Sequence, residues 1–359
     1  MIVPARNEEC CLENCLSSLV TQAGIDFEII VVDDGSSDRT RAIAQSCAGV
    51  RVVDPPALPP GWSGKNNALV AGATVARGEW VLFTDADTTH LPGSLAGSVA
   101  EAKKHGVDLL SYSPRQEVHG FWEKAVMPVI FAELAATYRP ALVSNPKSRA
   151  AAANGQYLLI SRNAYDAVGG HTAVANSLLE DVGLARAVKT SGRKIFLRGS
   201  DAVRTRMYRS LSQLVEGWTK NLALLFPSPL RLAALRLTEF VLIAGNVGIA
   251  VWYAVHDHDK PALVSGMLGL VLAMAFLRRI RNAHFSWDAN AVAIFGLPMF
   301  SYLLWRSRVA HRKGTVNWKG RTYRSGVRDP LETGKSSQTS PTGLATTSEE
   351  RDGLLNPQS

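Results

Sequence analysis

The sequence predicts an α/β fold followed by transmembrane helices. Short apolar runs alternate with helical segments over the first hundred residues, and acidic residues follow two of these runs. Such alternation is typical of a Rossmann-like sheet with right-handed crossovers and a crevice at the carboxyl ends of its strands. The most hydrophobic stretches lie after residue 230. We therefore expect an α/β domain first and a membrane region after it.

Apolar spacing assigns the individual elements. Residues that recur every three or four positions predict helices, and short β-branched runs predict strands. The first predicted elements are strand 2–3, helix 9–20, strand 27–32, a helix capped by Ser36 or Ser37, strand 51–53, helix 65–76 and strand 80–83. A looser pattern then predicts strands 108–112 and 156–160, helix 179–189 and an amphipathic stretch at 211–225. That stretch suits either a membrane surface or a core-facing helix.

Three apolar segments follow, at residues 240–255, 261–277 and 289–305. Each is near the short end of the roughly 17–25 residues of a spanning helix, so buried helices of a soluble domain are the alternative. Arginines flank the last segment on both sides, which conflicts with three simple spans and indicates a re-entrant or interfacial segment. The predicted organisation is a catalytic domain at 1–225, a membrane region with two or three helices at 226–310, a short basic segment at 311–325 and a disordered tail at 326–359.

Charge and cysteine content narrow the class of protein. The net charge of +8 could indicate nucleic-acid binding. However, basic residues such as Arg278, Arg279 and Arg281 lie beside the apolar segments, which is typical of membrane-flanking charge. We expect a membrane partner and no nucleic acid. All four cysteines fall in the first fifty residues without a zinc spacing, so reduced thiols in a cytoplasmic compartment are expected.

Two carboxylates one residue apart follow the apolar run 80–83. Asp85 and Asp87 would lie beyond the carboxyl end of a strand, where open α/β sheets bind ligands. A carboxylate pair there can hold a hard divalent cation together with phosphate oxygens. The other interpretation is a turn and helix cap ahead of the helix after Pro92. No Gly-x-Gly-x-x-Gly turn follows the first strand, which excludes a dehydrogenase.

Five motifs occur in a fixed order over residues 1–225. They are Val3-Pro4-Ala5-Arg6-Asn7-Glu8, Val32-Asp33-Asp34-Gly35-Ser36, Gly64-Lys65-Asn66-Asn67-Ala68, Asp85-Ala86-Asp87 and Glu180-Asp181. This ordered set resembles the family 2 inverting glycosyltransferases of the GT-A fold, the nucleotide-diphospho-sugar transferase fold. Gly61-Trp62-Ser63-Gly64-Lys65, Val316-Asn317-Trp318-Lys319-Gly320-Arg321 and the C-terminal apolar segments are similar to membrane-bound members associated with hopanoid and carotenoid glycosylation. The resemblance extends more distantly to ceramide glucosyltransferases.

The resemblance implies a nucleotide-sugar donor, expected to be UDP-linked, and Mg²⁺ or Mn²⁺. Asp34 would accept a hydrogen bond from the uracil ring, and Lys65 would offer a cation near the diphosphate or the base. Asp87 would be the principal metal ligand, with Asp85 beside it and directed at the ribose or the sugar. The other implied donor-site residues are Pro4, Ala5, Arg6, Glu8 and Asp33.

An inverting transfer also needs a base that takes the proton from the attacking hydroxyl. Asp181 is the candidate, with Glu180 as the alternate or as a partner that shapes its pKa. Both lie at a predicted helix start, where acidic residues also complement the helix dipole.

Related processive and ceramide-type members carry a Gln-x-x-Arg-Trp motif that borders the acceptor and the diphosphate. The corresponding stretch here is residues 213–218, and Gly217 stands in the place of the arginine. Basic residues just upstream could compensate. The residues expected near the acceptor and the diphosphate are His171, Arg206, Tyr208, Arg209, Gln213 and Trp218.

The leading hypothesis is a multi-pass enzyme on the cytoplasmic face of the cell membrane. It would move a sugar to a lipid hydroxyl of a hopanoid, carotenoid or ceramide-like acceptor. Transfer to polyprenyl phosphate is an alternative, which a basic pocket near Arg204, Arg206 and Arg209 would favour. A non-catalytic membrane scaffold with a degenerate transferase domain is a third hypothesis, and the intact carboxylates argue against it.

Overall fold

An eight-stranded mixed sheet forms the centre of the α/β domain in the computed structural model, which describes residues 1–318 and 321–323. Its strands are β1 (Ile2–Ala5), β2 (Ile29–Asp33), β3 (Val50–Val53), β4 (Trp80–Phe83), β5 (Thr88–His90), β6 (Leu109–Gln116), β7 (Leu158–Ser161) and β8 (Ile195–Thr205). Their spatial order is β3-β2-β1-β4-β7-β6-β8-β5. The first four strands pair in parallel, whereas β7 is antiparallel to both of its neighbours.

Helices cover both faces of this sheet and continue beyond it. In chain order they are α1 (Leu12–Val20), α2 (Thr40–Ser46), α3 (Gly64–Val75), α4 (Ser94–His105), α5 (Phe121–Thr137), α6 (Pro140–Ser144), α7 (Arg162–Ala167), α8 (Glu180–Thr190), α9 (Leu211–Leu225), α10 (Pro229–Val255), α11 (Asp259–Ile280), α12 (Trp287–Val292) and α13 (Gly296–Lys313). Successive side chains of a strand point to opposite faces. Accordingly, Ile2 and Ile30 belong to one hydrophobic cluster, and Val3 and Val31 to the other.

The loop before α2 differs from the prediction. The helix begins at Thr40, and Arg39 rather than a serine occupies its N-cap. The Ser36 hydroxyl instead accepts a hydrogen bond from the Asn7 backbone N–H at 3.1 Å, and the Ser37 N–H donates to the Asn7 side chain at 2.9 Å. The serines therefore fasten the loop after β2 to the loop after β1, so both loops are fixed at the same edge of the sheet.

Helix α9, which covers the amphipathic stretch, faces the protein core. Leu214, Trp218 and Leu222 are buried and pack in a hydrophobic cluster with residues of α5 and α13. The sequence left open whether this helix lies on a membrane surface or faces the core, and the structure shows the core-facing position.

Helices α10 and α11 form an apolar hairpin with little protein around it. The apolar windows of Pro229–Val255 and Asp259–Ala283 are only 6% and 11% buried, and both helices are long and apolar enough to cross a membrane. A third helical segment of the described chain, Phe121–Ser144, also meets the length and composition criteria, but 44% of its window is buried within the protein. The predicted segment 289–305 is divided between α12, a short 3₁₀ turn and α13, and it is not among these candidates.

Charged residues join the base of the hairpin to helix α5. Arg236 on α10 lies 2.9 Å from Glu133 on α5, and Arg279 on α11 lies 3.6 Å from the same glutamate. These pairs lie where the apolar stretches begin and end, so both ends of the hairpin return to the same side of the protein.

The chain finally turns back towards the catalytic domain. Gly314, with a φ of 63°, ends α13 in the left-handed conformation that glycine adopts readily. The antiparallel strands β9 (Val316–Trp318) and β10 (Arg321–Tyr323) follow, and β9 packs against α9. The predicted disordered tail at 326–359 lies outside the described residues, as does part of the basic segment 311–325.

Candidate active site

One large cavity, of about 1960 Å³, contains most of the predicted site residues. Residues 4–6, Glu8 and Asp34 line it beside the parallel strands, and Trp218 lines it from α9. Residues 281–285 line it at the end of α11, at the base of the apolar hairpin. The same cavity therefore connects the crevice of the sheet with the foot of the hairpin. The remaining predicted residues on its wall are Lys65, Asp85, Asp87, Glu180, Asp181, Arg206, Tyr208, Arg209 and Gln213.

A lysine joins two of the acidic motifs inside this cavity. The Lys65 ammonium lies 2.7 Å from an Asp85 carboxylate oxygen and 2.7 Å from a Glu180 carboxylate oxygen. Burial alone would lower the pKa of Lys65, but the two carboxylates raise it well above its ordinary value. Lys65 is therefore charged, and it links the start of α3, the end of β4 and the start of α8.

The two neighbouring acids of α8 have opposite pKa shifts. Burial would raise the pKa of Glu180, but the charges of Lys65 and Lys220 hold it below its ordinary value. Burial, and then the charge of Glu180, raise the pKa of Asp181 to about 6. The Gly155 backbone N–H donates to an Asp181 carboxylate oxygen at 2.9 Å and orients it. Two carboxyls whose pKa values are pushed apart in a cleft are typical of an acid–base site.

Asn66 holds the loop that leads into α8, a role that sequence reasoning missed. Its fully buried side-chain amide donates to the carbonyls of Val174, Ala175 and Ser177 at 2.8–3.0 Å. The helix that carries Lys65 and the loop before Glu180 are thereby fixed to each other. The available signal was the polar Asn66-Asn67 pair inside an otherwise small and apolar helix.

The Asp-x-Asp turn is held by buried threonines. The Thr88 hydroxyl donates to the Asp85 carbonyl at 2.7 Å, and the Thr84 hydroxyl donates to the Gln156 carbonyl at 2.8 Å. Within the described residues, no group of three or more His, Cys, Asp or Glu side chains is arranged to hold a metal ion. The donor set nevertheless fits a hard cation such as Mg²⁺, which commonly takes one or two carboxylates from the protein and the rest of its ligands from substrate phosphates and water.

The carboxylate of Asp34 is occupied by a residue from the far end of the chain. The Arg321 guanidinium donates to both Asp34 carboxylate oxygens, at 2.5 and 3.0 Å. Glycine is required at position 64 for this approach, because a Cβ there would lie 1.6 Å from the Arg321 guanidinium. Arg321 was not among the predicted site residues, although the motif that ends with it contributed to the family resemblance.

Two predicted residues lie away from the cavity wall. Asp33 is buried, accepts the Ser36 N–H at 3.2 Å and pairs with Arg41, so it stabilises its own loop. His171 is packed edge-on against Phe83, with its ring nitrogen 3.0 Å from the Tyr165 hydroxyl. Burial lowers the pKa of His171 to about 4, so it is a neutral core residue. In the structure His171 is therefore not among the residues that line the large cavity.

The upstream arginines line cavities whose walls also carry carboxylates. Arg206 makes a bidentate pair with Glu123, at 3.0 and 3.2 Å. All three arginines, Arg204, Arg206 and Arg209, line a second, smaller cavity, and Arg206 and Arg209 also line the large one. The Arg209 backbone N–H donates to the Gln213 side chain at 2.9 Å. Of the three arginines, Arg206 is the one whose charge is matched by a carboxylate pair in the described part of the chain.

Tyr208 explains why glycine replaces arginine at position 217. A Cβ at position 217 would lie 2.5 Å from both a ring carbon and the hydroxyl of Tyr208. Trp218 beside it is buried, and its ring packs edge-on against Phe131 and Tyr208. No side chain can project from position 217 without moving the tyrosine.

We expect Gly217→Ala to lower the free energy of unfolding by about 1–3 kcal/mol, the usual range for overpacking. Thermal unfolding of the detergent-solubilised protein measures this. Gly97→Ala is the matched control, because Gly97 is also helical and has open space around the added Cβ; a slight increase in stability is expected there. Equal melting temperatures for the two variants would contradict the steric explanation.

Comparison with known proteins finds one matching family model and several similar proteins. Residues 1–169 match the model of Glycosyl transferase family 2. A protein of Staphylococcus aureus (strain MRSA252) named 4,4'-diaponeurosporenoate glycosyltransferase is 28% identical over 341 residues, which cover 90% of this chain and 87% of that protein. A protein of the same name from strain USA300 shows the same identity and coverage.

Two solved structures are also similar. One is a mannosyltransferase from Pyrobaculum calidifontis in complex with GDP-Man and Mn²⁺, with a TM-score of 0.47, 18% identity and coverage of 86% of this chain and 85% of that one. The other is glucosyl-3-phosphoglycerate synthase from Mycobacterium tuberculosis, with a TM-score of 0.41, 22% identity and coverage of 62% and 77%. The match of the family model lies on the part of the mixed sheet that holds the Asp-x-Asp turn, so residues 1–169 carry a glycosyl transferase family 2 domain.

Proposed function

We propose that the protein transfers a sugar from a UDP-linked donor to the hydroxyl of a membrane lipid, with inversion at the anomeric carbon. The observation that carries this proposal is the continuity of the cavity. It joins the nucleotide-side residues 4–6 and Asp34 to residues 281–285 at the foot of the apolar hairpin. A soluble donor and a lipid acceptor can therefore enter from different directions and meet at the carboxylate cluster.

Asp181 acts as the base in this proposal. With a pKa of about 6 it is ionised at neutral pH and basic enough to accept a proton from a hydroxyl as that hydroxyl attacks. The Gly155 N–H keeps one carboxylate oxygen in place. Glu180 stays charged beside Lys65 and keeps the pKa of Asp181 raised, so it is a partner of the base rather than the base itself.

Asp87 is the residue that would hold Mg²⁺ or Mn²⁺ with the donor's phosphate oxygens. Asp85 lies beside it, but its carboxylate is bound by Lys65, which leaves Asp87 as the principal ligand. A bound cation of this kind offsets the negative charge that accumulates on a departing diphosphate.

The apolar hairpin of α10 and α11 anchors the enzyme by crossing the membrane twice. Its lipid-facing side chains are well exposed, as for Val241 at 58% and Val264 at 67%. Arg279, Arg278 and Arg281 lie where α11 returns to the catalytic domain, and basic residues near a span favour the cytoplasmic side. We therefore place the catalytic domain and α13 on the cytoplasmic face.

A carotenoid-type lipid is favoured over polyprenyl phosphate as acceptor. Arg206 is paired with Glu123, and the smaller cavity that Arg204, Arg206 and Arg209 share is also lined by the acidic residues Asp87 and Glu117. A relative is named for 4,4'-diaponeurosporenoate, a carotenoid carboxylate, and this supports a carotenoid-type acceptor. The choice of a hydroxyl as the attacking group rests instead on the proposed base, Asp181. Hopanoid and ceramide-like lipids are the other candidates. A non-catalytic scaffold would have no use for the joined carboxylate cluster.

A donor screen tests the proposal. Detergent-solubilised protein is mixed with UDP- or GDP-sugars and candidate lipids, with and without Mn²⁺, and nucleotide release is measured. We expect UDP release that requires both a lipid hydroxyl and the metal. Faster release with GDP-sugars would contradict the donor assignment, and acceleration only by polyprenyl phosphate would contradict the acceptor assignment. Failure of every donor to react would overturn the proposed function.

A further inference from the structure

A second lysine of the cavity lacks the ion pairs that surround the first. Lys220 lies on α9, is half-buried and lines the cavity. Whereas Lys65 touches two carboxylates at 2.7 Å, the Lys220 ammonium has no carboxylate within 4.0 Å in the described part of the chain. The Lys220 ammonium lies instead over the Trp318 ring, 5.1 Å from its centroid, which is a cation–π contact.

Burying an unpaired ammonium destabilises the folded protein unless a ligand of opposite charge binds it. An ammonium taken out of water loses hydration that only a counter-ion or hydrogen-bond acceptors restore. Burial accordingly lowers the pKa of Lys220, while the charges of Glu180, Asp85 and Asp181 oppose that shift from a distance. Lys220 shares the cavity with the carboxylate cluster but forms no ion pair with it in the described part of the chain, so the missing partner is an anion that arrives from outside.

The position of Lys220 on α9 suits the diphosphate. Residues three apart lie on the same face of a helix, so Lys220 shares a face with Gly217, where Tyr208 leaves no room for a side chain. The Lys220 carbonyl lies 2.8 Å from the His311 ring nitrogen on α13, which fixes the backbone at this turn. Trp318 covers the ammonium from the C-terminal strand β9. These contacts hold the Lys220 side chain at the cavity wall, on the same helix as the buried Trp218.

We propose that Lys220 is the catalytic cation that contacts the donor diphosphate and stabilises it as it leaves, a role that rests on the proposed function. In the transfer, the bond between the anomeric carbon and the β-phosphate oxygen breaks, and its electron pair stays on that oxygen. The acceptor oxygen forms the new bond to the anomeric carbon and loses its proton to Asp181. Lys220 offsets the charge that develops on the phosphate oxygen, which is where a preorganised cation has its largest effect.

Lys220→Met tests this assignment, because methionine keeps the length of the side chain and removes its charge. We expect kcat to fall about a hundredfold, as when one stabilising donor is removed from a developing anion, with a much smaller change in the KM of the lipid. UDP affinity, measured calorimetrically with Mn²⁺ present, should weaken about tenfold while uridine affinity is unchanged. Lys220→Arg should recover most of both losses. Lys104→Met, an exposed lysine on α4, is the matched control and should behave as wild type.

A structural role predicts a different pattern. If Lys220 serves only to hold Trp318, then Trp318→Leu and Lys220→Met should lower activity equally, and uridine and UDP affinities should change together. That pattern, or a Lys220→Met enzyme with unchanged kcat and UDP affinity, would overturn the assignment while leaving the proposed function in place. A wild-type protein that binds neither UDP nor GDP would overturn the proposed function and the assignment together.

Discussion

Replacement of Asp181 by asparagine is expected to lower kcat by about two to four orders of magnitude, the usual contribution of a positioned general base. The amide has nearly the same shape and can still accept the Gly155 N–H, but it cannot take a proton. Binding of UDP should change little, because the carboxylate faces the acceptor in the proposed mechanism. Single-turnover transfer to a lipid hydroxyl measures the chemical step. Asp166→Asn, on the exposed surface of α7, is the matched control.

The pH dependence of the rate identifies Asp181 as the base more directly than the lower kcat of Asp181→Asn does. Its pKa of about 6 means that the ionised, active form is lost as the pH falls through that value. In wild type, kcat/KM should therefore decline about tenfold per pH unit below pH 6, and this limb should be absent from the residual activity of Asp181→Asn. Full activity of the variant would remove Asp181 as the base. It would then favour an acceptor that needs no base, such as a carboxylate.

Asp87→Ala is expected to abolish the stimulation by Mn²⁺ and to lower turnover about a hundredfold or more, because a metal ion contributes several kcal/mol to charge stabilisation. The measurement is the initial rate over a titration of Mn²⁺, together with UDP affinity in the presence and absence of the ion. UDP affinity without metal should be close to that of wild type. The control is Asp26→Ala, which removes an exposed carboxylate far from the turn in sequence. Turnover that survives both Asp87→Ala and chelation of the metal would contradict the metal–diphosphate mechanism.

The predicted fold class and family are confirmed. They could be predicted because the pattern of each early strand is contained in its own few residues. Strands β1, β2 and β4 are short, mostly buried apolar runs, and such runs are recognisable without knowledge of their partners. Strand β5 was missed because its three residues, Thr88 to His90, show no apolar pattern. It exists as a strand because β8 pairs with it from more than a hundred residues away. Strand β8 was also missed, because its apolar run Ile195-Phe196-Leu197 is short and its remaining residues are mostly polar; they are strand because β6 and β5 pair with them.

The site could be predicted only in part, because its contacts join residues that are far apart in the sequence. The order of the motifs indicated that Lys65, Asp85 and Glu180 share a cavity, but the two ion pairs of Lys65 depend on how three elements meet. The apolar segment 289–305 suited a membrane by hydropathy alone. Its helix α13 instead packs so tightly on α5 that a Cβ at Gly296 would lie 1.9 Å from the Ala125 carbonyl oxygen. Hydropathy cannot distinguish a lipid neighbour from an apolar protein neighbour.

The ion pair between Asp34 and Arg321 has a consequence for biosynthesis. Residue 34 emerges early from the ribosome, and residue 321 emerges only after both helices of the apolar hairpin have been made. During that interval the Asp34 carboxylate lacks its Arg321 partner. The pair forms only when the hairpin is complete and the chain has returned to the α/β domain. The end of the cavity lined by Asp34 is therefore finished last, after both helices of the hairpin have been made.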